Sequence, residues 1–487
     1  MKKIWYLALI IFFPTGVFSQ QIALTHSGTQ YDAFENPVQT GFTKELSRKY
    51  AITIFPALNA FLNFKGGAET AFKNFAFNRT VAGSTFSNLG LGNNNHLYLK
   101  NSFYLFTYRI YKTVEYSREL GFALQFKQDG KANISNESFA IFDSPKNFNQ
   151  SSYQNIFNNN AYNQSYWQLS VNYRENYDER WGFGGKFSLL NGATYSKMNI
   201  TNSSLQINSS DSFISSFKGN YISSFGTDSL TYKKFLPNLK NLGLAISGGV
   251  SYTSKKGLYL TLNINDLGFI HWNKSTPNYS FDDKITITNA NSVNAANRFS
   301  NAFGSVINNN LSNKKLNTLI DTKIVLAASK TFNNYKPVFV FSKSTFRRDG
   351  QIGLLNNFKK NAFNFGINSI YDFNTGLNLG SQLLIKSPNA EFYIGTESLF
   401  PSYYLAKGYL TKDENIGKNN PKGTFYMGLN INFGKKIQSM GGADEIPGLN
   451  DKETGFVVRL SSKERKQLQK KNKEISKRRS KTNKKNN

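Results

Sequence analysis

Apolar and polar residues alternate with a period of two through much of the chain. From Trp167 to Arg174 every second residue is apolar, and a similar run begins at Trp181 after a short polar link. Successive side chains of a β-strand point to opposite faces, so each run predicts a strand with one apolar and one polar face. The short link predicts a hairpin. Comparable runs recur at residues 244–264, 363–379 and 425–433.

Strands of this kind fit either a two-layer soluble sandwich or a membrane barrel that turns its apolar face to lipid and its polar face to a lumen. Runs of roughly ten residues exceed the mode of about five or six for soluble strands. Aromatic residues such as Trp181 and Tyr252 fall near strand ends, where membrane barrels place their interfacial girdles. We therefore predict an all-β fold, a transmembrane antiparallel β-barrel, because only a closed sheet satisfies its backbone in lipid.

The alternation assigns the side chains of three runs to the two faces of the wall. The polar set predicts the lumen-facing residues Gln168, Ser170, Asn172, Arg174, Lys186, Ser188, Thr261, Asn263 and Asn265. The apolar set predicts the lipid-facing residues Trp167, Leu169, Val171, Tyr173, Trp181, Phe183, Phe187, Leu258, Leu260 and Leu262. An excess of positive charge within the lumen would favour anionic solutes.

The number of strands follows from the runs and from the lengths of the links between them. Short links at 174–180 and 253–257 are followed by long ones at 194–242 and 266–321, as periplasmic turns and extracellular loops would be. We count fifteen candidate strands, including one at 402–410 that restores the alternation. Because single-chain bacterial barrels have an even number of strands, we predict about 14, with 12 or 16 as alternatives.

One of the long links has helical spacing. Its apolar residues Phe299, Phe303, Val306, Ile307 and Leu311 fall on one helical face. This pattern predicts a short helical insert. The insert would be either a surface helix on the barrel rim or a gate that enters the lumen.

The two ends of the chain differ from its middle. Lys2 and Lys3 precede a ten-residue apolar stretch, and small residues then predict cleavage before Gln20. We therefore predict a signal peptide at 1–19, an outer-membrane barrel at 20–436 and a linker at 437–462.

Residues 463–487 are predicted to form a basic periplasmic tail. This segment holds 12 Lys or Arg and two Glu, a composition typical of a disordered or loosely helical segment. The tail could remain solvated, or it could bind anionic headgroups or an acidic periplasmic partner. We expect no nucleic acid as a partner, because nucleic acid is scarce in the periplasm.

The sequence lacks the usual signs of an enzyme. The chain has no Cys and only three His, so thiol chemistry is excluded and a His-based metal site is not expected. It contains no nucleophile elbow, phosphate-binding loop or zinc-binding HExxH motif. We expect no cofactor, no metal and no catalytic residues. A mean hydropathy of −0.45 also excludes a bundle of transmembrane helices.

Several short segments resemble outer-membrane barrels of Bacteroidota. They are the leader ending in Phe-Ser before Gln20, the residues Phe34-Glu35-Asn36-Pro37, and the strand end 265–270 followed by Trp272. The chain is most similar to a domain-of-unknown-function family of that phylum. That family resembles the FadL-like transporters and the PorP/SprF- and PorV-type barrels of type IX secretion.

The final strand resembles the signal that the barrel-insertion machinery reads. The resemblance assigns this role to Gly428, Ile431 and Phe433. The chain departs from the signal at Met427, where a polar residue is usual, and in the residues that follow Phe433. The insertion machinery and the lipids of a Gram-negative outer membrane are therefore expected partners.

These observations leave three hypotheses for function. The first is a passive channel or a FadL-like transporter for small or hydrophobic solutes. The second is a non-transporting scaffold of a secretion, gliding or surface complex, and the third and weakest is a barrel enzyme. A shared fold does not decide among them.

Overall fold

The computed structural model describes residues 28–39, 48–81, 83–84, 86, 88–113, 118–227, 231–290, 292, 295–308, 311–345, 350–373, 376–417 and 421–436. Within them, one antiparallel sheet contains seventeen strands. The strands are β1 (Arg48–Lys65), β2 (Asn94–Thr113), β3 (Arg118–Ser135), β4 (Ser152–Gln154), β5 (Asn160–Asn176), β6 (Trp181–Ser209), β7 (Ser212–Ser223), β8 (Leu242–Thr253), β9 (Leu258–Thr288), β10 (Leu311–Leu319), β11 (Lys323–Lys330), β12 (Tyr335–Ser344), β13 (Gly350–Lys360), β14 (Phe363–Asp372), β15 (Gly376–Lys386), β16 (Ala390–Thr396) and β17 (Lys422–Lys436). The helices are α1 (Asp32–Glu35), α2 (Glu69–Asn78), α3 (Asn136–Asp143), α4 (Ala295–Asn308) and α5 (Leu399–Thr411).

Fourteen of these described strands close a ring. Going round it, β1, β2, β3, β5, β6, β8 and β9 are followed by β11 to β17, and β17 pairs back with β1. The predicted transmembrane antiparallel barrel of about 14 strands is confirmed. Of the remaining three strands, β4 and β7 pair with the parts of β6 and β9 that extend beyond the ring, and β10 pairs with β9 from Phe269 to Tyr279.

The ring has two different ends, which we call the short-turn end and the long-loop end. At the short-turn end β1 begins and β17 finishes, with Arg48 opposite Lys436. Only a few residues connect consecutive strands there, as between Asn176 and Trp181. The connections at the long-loop end hold α2 to α5 together with β4, β7 and β10. This is the alternation of short and long links that the sequence predicts.

The wall is apolar outside and mainly polar inside. Large side chains such as Leu169, Phe187 and Phe339 are about half exposed on the outer face, whereas Gln168, Ser188 and Asn263 are fully buried on the inner one. An apolar outer face on a closed ring is the arrangement that lipid requires. No helix in the described ranges is long and apolar enough to cross a membrane.

Two predicted long links are wrong in part, because they are strands. β6 continues to Ser209 and β9 to Thr288, and both pair with β7 outside the ring. Their apolar residues, among them Leu205, Phe217 and Ile285, form a separate hydrophobic core at the long-loop end. Burial of these apolar side chains stabilises the strands where they extend beyond the ring, a part of the structure that we call the projecting sheet.

The predicted helical insert corresponds to α4, which is a surface helix on the projecting sheet. Phe303 packs edge-on against Phe217 and Phe281, with ring centroids 5.2 and 5.9 Å apart. Both partners belong to the projecting sheet, so α4 covers that sheet and does not enter the lumen. Leu311, which was placed on the same helical face, begins β10 instead.

The strand predicted at 402–410 is wrong, because α5 occupies these residues. Tyr403, Tyr404 and Leu405 are consecutive, so this segment has no period of two. A helix also lets Gly408 approach the ring of Phe77 on α2 closely. The predicted signal peptide (1–19), linker (437–462) and tail (463–487) lie outside the described residues.

Candidate functional site in the barrel lumen

Residues 28–39, which we call the luminal segment, lie inside the ring. Thr29, Ala33, Phe34 and Val38 are fully buried, and the segment contacts inward-facing side chains from β1, β2, β3, β5, β6, β9, β15 and β16. Only a segment within the lumen can touch strands on so many sides of a barrel. The luminal segment therefore obstructs the passage toward the short-turn end.

The luminal segment is mostly irregular, so its backbone needs partners from elsewhere. Wall side chains donate to its carbonyl oxygens one after another. The Asn172 amide donates to Ala33 (3.0 Å), the Lys186 ammonium to Phe34 (3.2 Å), the Asn265 amide to Glu35 (2.9 Å), and Arg174 and Lys386 donate to Val38 and Gly28. The wall thus holds the segment by hydrogen bonds to its main chain.

Side chains of the segment add further contacts. The Tyr104 hydroxyl and the Gln125 amide donate to Oε1 of Glu35 at 2.6 and 3.2 Å. Phe34 packs on Tyr104, with ring centroids 5.9 Å apart, and the guanidinium of Arg109 lies 5.5 Å from the Phe34 ring centroid. Arg109 is itself buried and paired with Glu119 on the neighbouring strand.

Glu35 is an acidic residue of the luminal segment, and its carboxylate interacts with the ammonium groups of Lys127 and Lys186. It lies on α1 and not on a membrane-spanning strand. Burial raises the pKa of Glu35, but the ammonium groups of Lys127 and Lys186 outweigh this effect and hold the pKa below its ordinary value. The carboxylate is therefore ionised at neutral pH and accepts both hydrogen bonds.

A charged layer crosses the middle of the lumen around Asp266. Its carboxylate oxygens lie 2.5 Å from Nζ of Lys127 and 3.0 Å from Nζ of Lys186, and the Gln168 amide donates at 2.9 Å. Nearby, Lys100 pairs with Asp321 and lies 3.8 Å from Asp129. Several luminal cations are therefore already neutralised, which removes much of the charge that was expected to favour anionic solutes.

Another part of the inner wall is apolar. We call this the inner apolar patch. It consists of Val325, Ala327, Val338, Val340, Leu355 and Ile370, on β11 to β14. All six are buried, while their neighbours on the same strands, such as Phe339 and Leu354, are exposed on the outer face. The lumen therefore has an apolar side and a charged side.

Toward the long-loop end the interior becomes aromatic. Tyr166, Tyr195 and Trp272 are nearly fully buried and belong to one cluster, and the Trp272 indole donates to Thr318 at 2.8 Å. On the other side of the mouth, Phe72 of α2 stacks on Phe64 of β1 at 4.2 Å. Described residues thus narrow the lumen from both ends.

The structure places the predicted site residues as follows. All nine residues predicted to face the lumen are buried inside the ring, and four of them, Asn172, Arg174, Lys186 and Asn265, contact the luminal segment. Nine of the ten residues predicted to face lipid are exposed on the outer face. The tenth, Trp167, is partly covered because its indole donates to the carbonyl oxygen of Phe235 at 2.6 Å.

The residues of the insertion-signal resemblance lie on β17. Ile431 and Phe433 are exposed on the outer face, and Gly428 lies where a Cβ would meet the Tyr393 hydroxyl. Among the described residues no group of three or more His, Cys, Asp or Glu is placed to hold a metal ion.

Sequence reasoning missed Glu35, Lys127 and Asp266. The predicted long link at 266–321 begins at Asp266, but this residue lies within β9 with a φ of 56°. Asp266 is an acidic residue directly after the alternating run 258–265, and this position is the local signal that could have indicated a buried partner for Lys186.

Several solved barrels are similar to this chain, although with low scores. The Pseudomonas putida toluene transporter TodX aligns with a TM-score of 0.41 and 8% identity, over 86% of this chain and 99% of that one. A Pseudomonas aeruginosa FadL homologue gives 0.40 and 9%, over 84% and 95%. The Ralstonia pickettii toluene transporter TbuX gives 0.36 and 7%, over 87% and 100%. No curated protein matches the chain significantly.

A family model gives the assignment that the structural likenesses do not. It matches residues 45–397, which include the whole of the strands β1 to β16. The chain therefore belongs to DUF5723, a family of unknown function.

Proposed function

We propose that this protein is a transporter of a Gram-negative outer membrane, which passes small apolar or amphipathic solutes when the luminal segment moves. The observation that carries the proposal is the way in which this segment is held. Wall side chains bind its main chain by separate hydrogen bonds, and water can replace each of these bonds. Such a segment closes the lumen without sealing it permanently.

The energetics agree with a closed resting state that can open. A net hydrogen bond contributes about 1 kcal/mol, and bonds to charged donors somewhat more. The bonds from Asn172, Lys186 and Asn265 therefore stabilise the closed state by a few kcal/mol, by this order-of-magnitude rule. This is strong enough to keep the lumen closed, yet weak enough for a bound solute to shift the equilibrium.

The two sides of the lumen favour an amphipathic or apolar solute. The inner apolar patch offers a surface on which hydrocarbon can lie, and the charged layer around Asp266 offers polar contacts on the other side. TodX and TbuX are toluene transporters, and toluene belongs to the apolar class from which the probe is chosen.

Uptake into proteoliposomes tests the proposal. Mature protein and a variant lacking residues 28–39 are reconstituted, and entry of a small apolar aromatic dye is compared with entry of a sugar. We expect dye uptake to be slow in the mature protein and faster in the deletion variant. Equal dye uptake by protein-free and deletion-variant liposomes would refute a transport role.

A second candidate function is the scaffold, and the packing of the lumen favours it. Inward-facing residues such as Gln168, Asn172 and Ser188 are buried, so the described lumen is filled with side chains. A scaffold needs no passage. We would then expect no uptake in either variant, and loss of bound partners when residues 463–487 are deleted.

The source organism, the type of relative and the position of the tail stay predictions. Bacteroidota as the source, the likeness to type IX secretion barrels and a periplasmic position for the tail all rest on sequence alone. We also propose that the barrel is not catalytic, and the lack of known catalytic motifs in the sequence supports this proposal.

A further inference from the structure

The ring wall is incomplete above β16, at the long-loop end. β16 pairs with β15 only from Glu391 to Thr396, where Thr396 lies opposite Ser381. β15 extends five residues farther, to Gly376, which is about 16 Å along a strand. Within the described residues no strand lies between residues 376–380 of β15 and residues 422–425 of β17.

The first turn of α5 occupies this gap and satisfies the free edge of β17. Ser402 Oγ donates to the carbonyl oxygen of Thr424 at 3.1 Å and accepts from its backbone N–H at 2.9 Å. The backbone N–H groups of Glu397 and Ser398 donate to Thr424 Oγ1 at 2.8 and 2.9 Å. Side chains here replace the ladder hydrogen bonds that a strand would supply, as a backbone facing hydrocarbon requires.

The far end of α5 is fixed to α2. Gly408 approaches the Phe77 ring, Tyr409 packs edge-on against the same ring at 6.0 Å, and Lys412 Nζ donates to the Phe77 carbonyl oxygen at 2.9 Å. In the following link, Ile416 and Gly417 accept hydrogen bonds from the buried Lys73 ammonium at 3.2 and 2.8 Å. The helix is therefore held at both ends.

Despite this anchoring, the apolar side chains of α5 are uncovered. Of its thirteen described residues, only Gly408 is buried. Phe400 is 55% exposed, Tyr403 57% and Leu410 79%. A helix that is apolar on all sides is normally surrounded by an apolar medium.

The lipid-facing surface of the barrel continues onto α5. Leu377 and Leu379, at the end of β15 beside the gap, are exposed on the outer face. α5 begins between the strand that carries them and β17, so its exposed side chains extend the same apolar surface. Tyr residues beside apolar ones are also typical of the membrane interface.

We propose that α5 is a lipid-contacting helix, which completes the wall above β16 and inserts its apolar side chains into the leaflet at the long-loop end. The partner is the membrane lipid itself. This role does not depend on whether the barrel transports a solute.

Single-cysteine labelling tests the proposal, because the chain has no Cys of its own. Phe400→Cys and Tyr404→Cys are labelled with an environment-sensitive fluorophore in phosphatidylcholine vesicles. Quenching by doxyl-labelled phosphatidylcholine is compared with quenching by aqueous iodide. Leu379→Cys on the outer face of β15 is the lipid-exposed control, and Asn415→Cys, in the exposed link after α5, is the water-exposed control.

We expect both helix positions to follow Leu379→Cys, with strong quenching by the doxyl lipid and weak quenching by iodide. If both follow Asn415→Cys, α5 lies in water and the proposal is overturned. Heat-modifiable gel mobility confirms that each labelled variant is folded. Since two positions are used, failure of one variant to fold leaves the other to decide.

Discussion

The carbonyl oxygen of Pro37 lies so close to Gly184 that a Cβ at position 184 would be 2.0 Å from it. The luminal segment and β6 therefore touch through main-chain atoms, with no room for a side chain. Gly184→Val should push the segment away from the wall and increase dye uptake toward that of the variant lacking residues 28–39.

The matched control for this change is the next glycine of the same strand. A Cβ on Gly185 would meet the Ser247 carbonyl oxygen at 3.7 Å, which is ordinary contact. Gly185→Val should therefore leave uptake unchanged. If the two variants behave alike, the close approach at Gly184 has no role in closing the lumen.

Asp266→Asn should destabilise the barrel. The change leaves the buried ammonium groups of Lys127 and Lys186 without their carboxylate. Removal of one partner of a buried pair costs about 3–5 kcal/mol, which urea unfolding in vesicles would measure. Asp282 lies on the same strand as Asp266, β9, and forms an exposed pair with Lys218 of β7, so Asp282→Asn should have no measurable effect. Equal effects of the two changes would contradict this assignment.

Acidification should loosen the luminal segment through Glu35. Because the pKa of Glu35 is lowered in the folded protein, its contribution is present above the ordinary value of about 4.3 and is lost as pH falls through the lowered value. Uptake should therefore be constant near neutral pH and rise only below about pH 4.

Glu35→Gln isolates this effect. The amide oxygen can still accept from Tyr104 and Gln125, but it does not titrate in this range. In this variant the increase of dye uptake at acidic pH should be smaller, because protonation of Glu35 no longer contributes to it. An unchanged pH profile would show that another group controls the response.

The inner apolar patch should set solute preference once the lumen is open. In the variant lacking residues 28–39, Val338→Asn places an amide in the patch and should reduce dye uptake more than sugar uptake. Phe339→Leu, on the outer face of the same strand, should change neither. If both solutes are affected equally, the patch has a structural role only.

The wall could be predicted from the sequence because its pattern is local. Alternation at Trp167–Arg174 alone fixes which side chains point inward, and pairing follows from short turns. The contents of the lumen could not be predicted, because their contacts are distant in sequence. Lys186 and Phe34, for example, are 152 residues apart, and the luminal segment has no periodicity that would reveal its position.

The error at α5 has a different origin. The strand at 402–410 is predicted because the alternation of short and long links requires one there, not because these residues alternate between apolar and polar. The ring closes with the short strand β16 instead, and the helix takes over where that strand ends. The requirement for an even number of strands limits how many strands close a barrel, but it does not determine the length of each strand.

Planar-bilayer conductance tests the central claim most directly, namely that residues 28–39 close a membrane-spanning barrel. Mature protein and the variant lacking these residues are recorded under identical conditions, after heat-modifiable mobility has shown that both are folded. We predict rare, brief openings for the mature protein and a steady conductance for the variant. Steady conductance of equal size in both would contradict the claim.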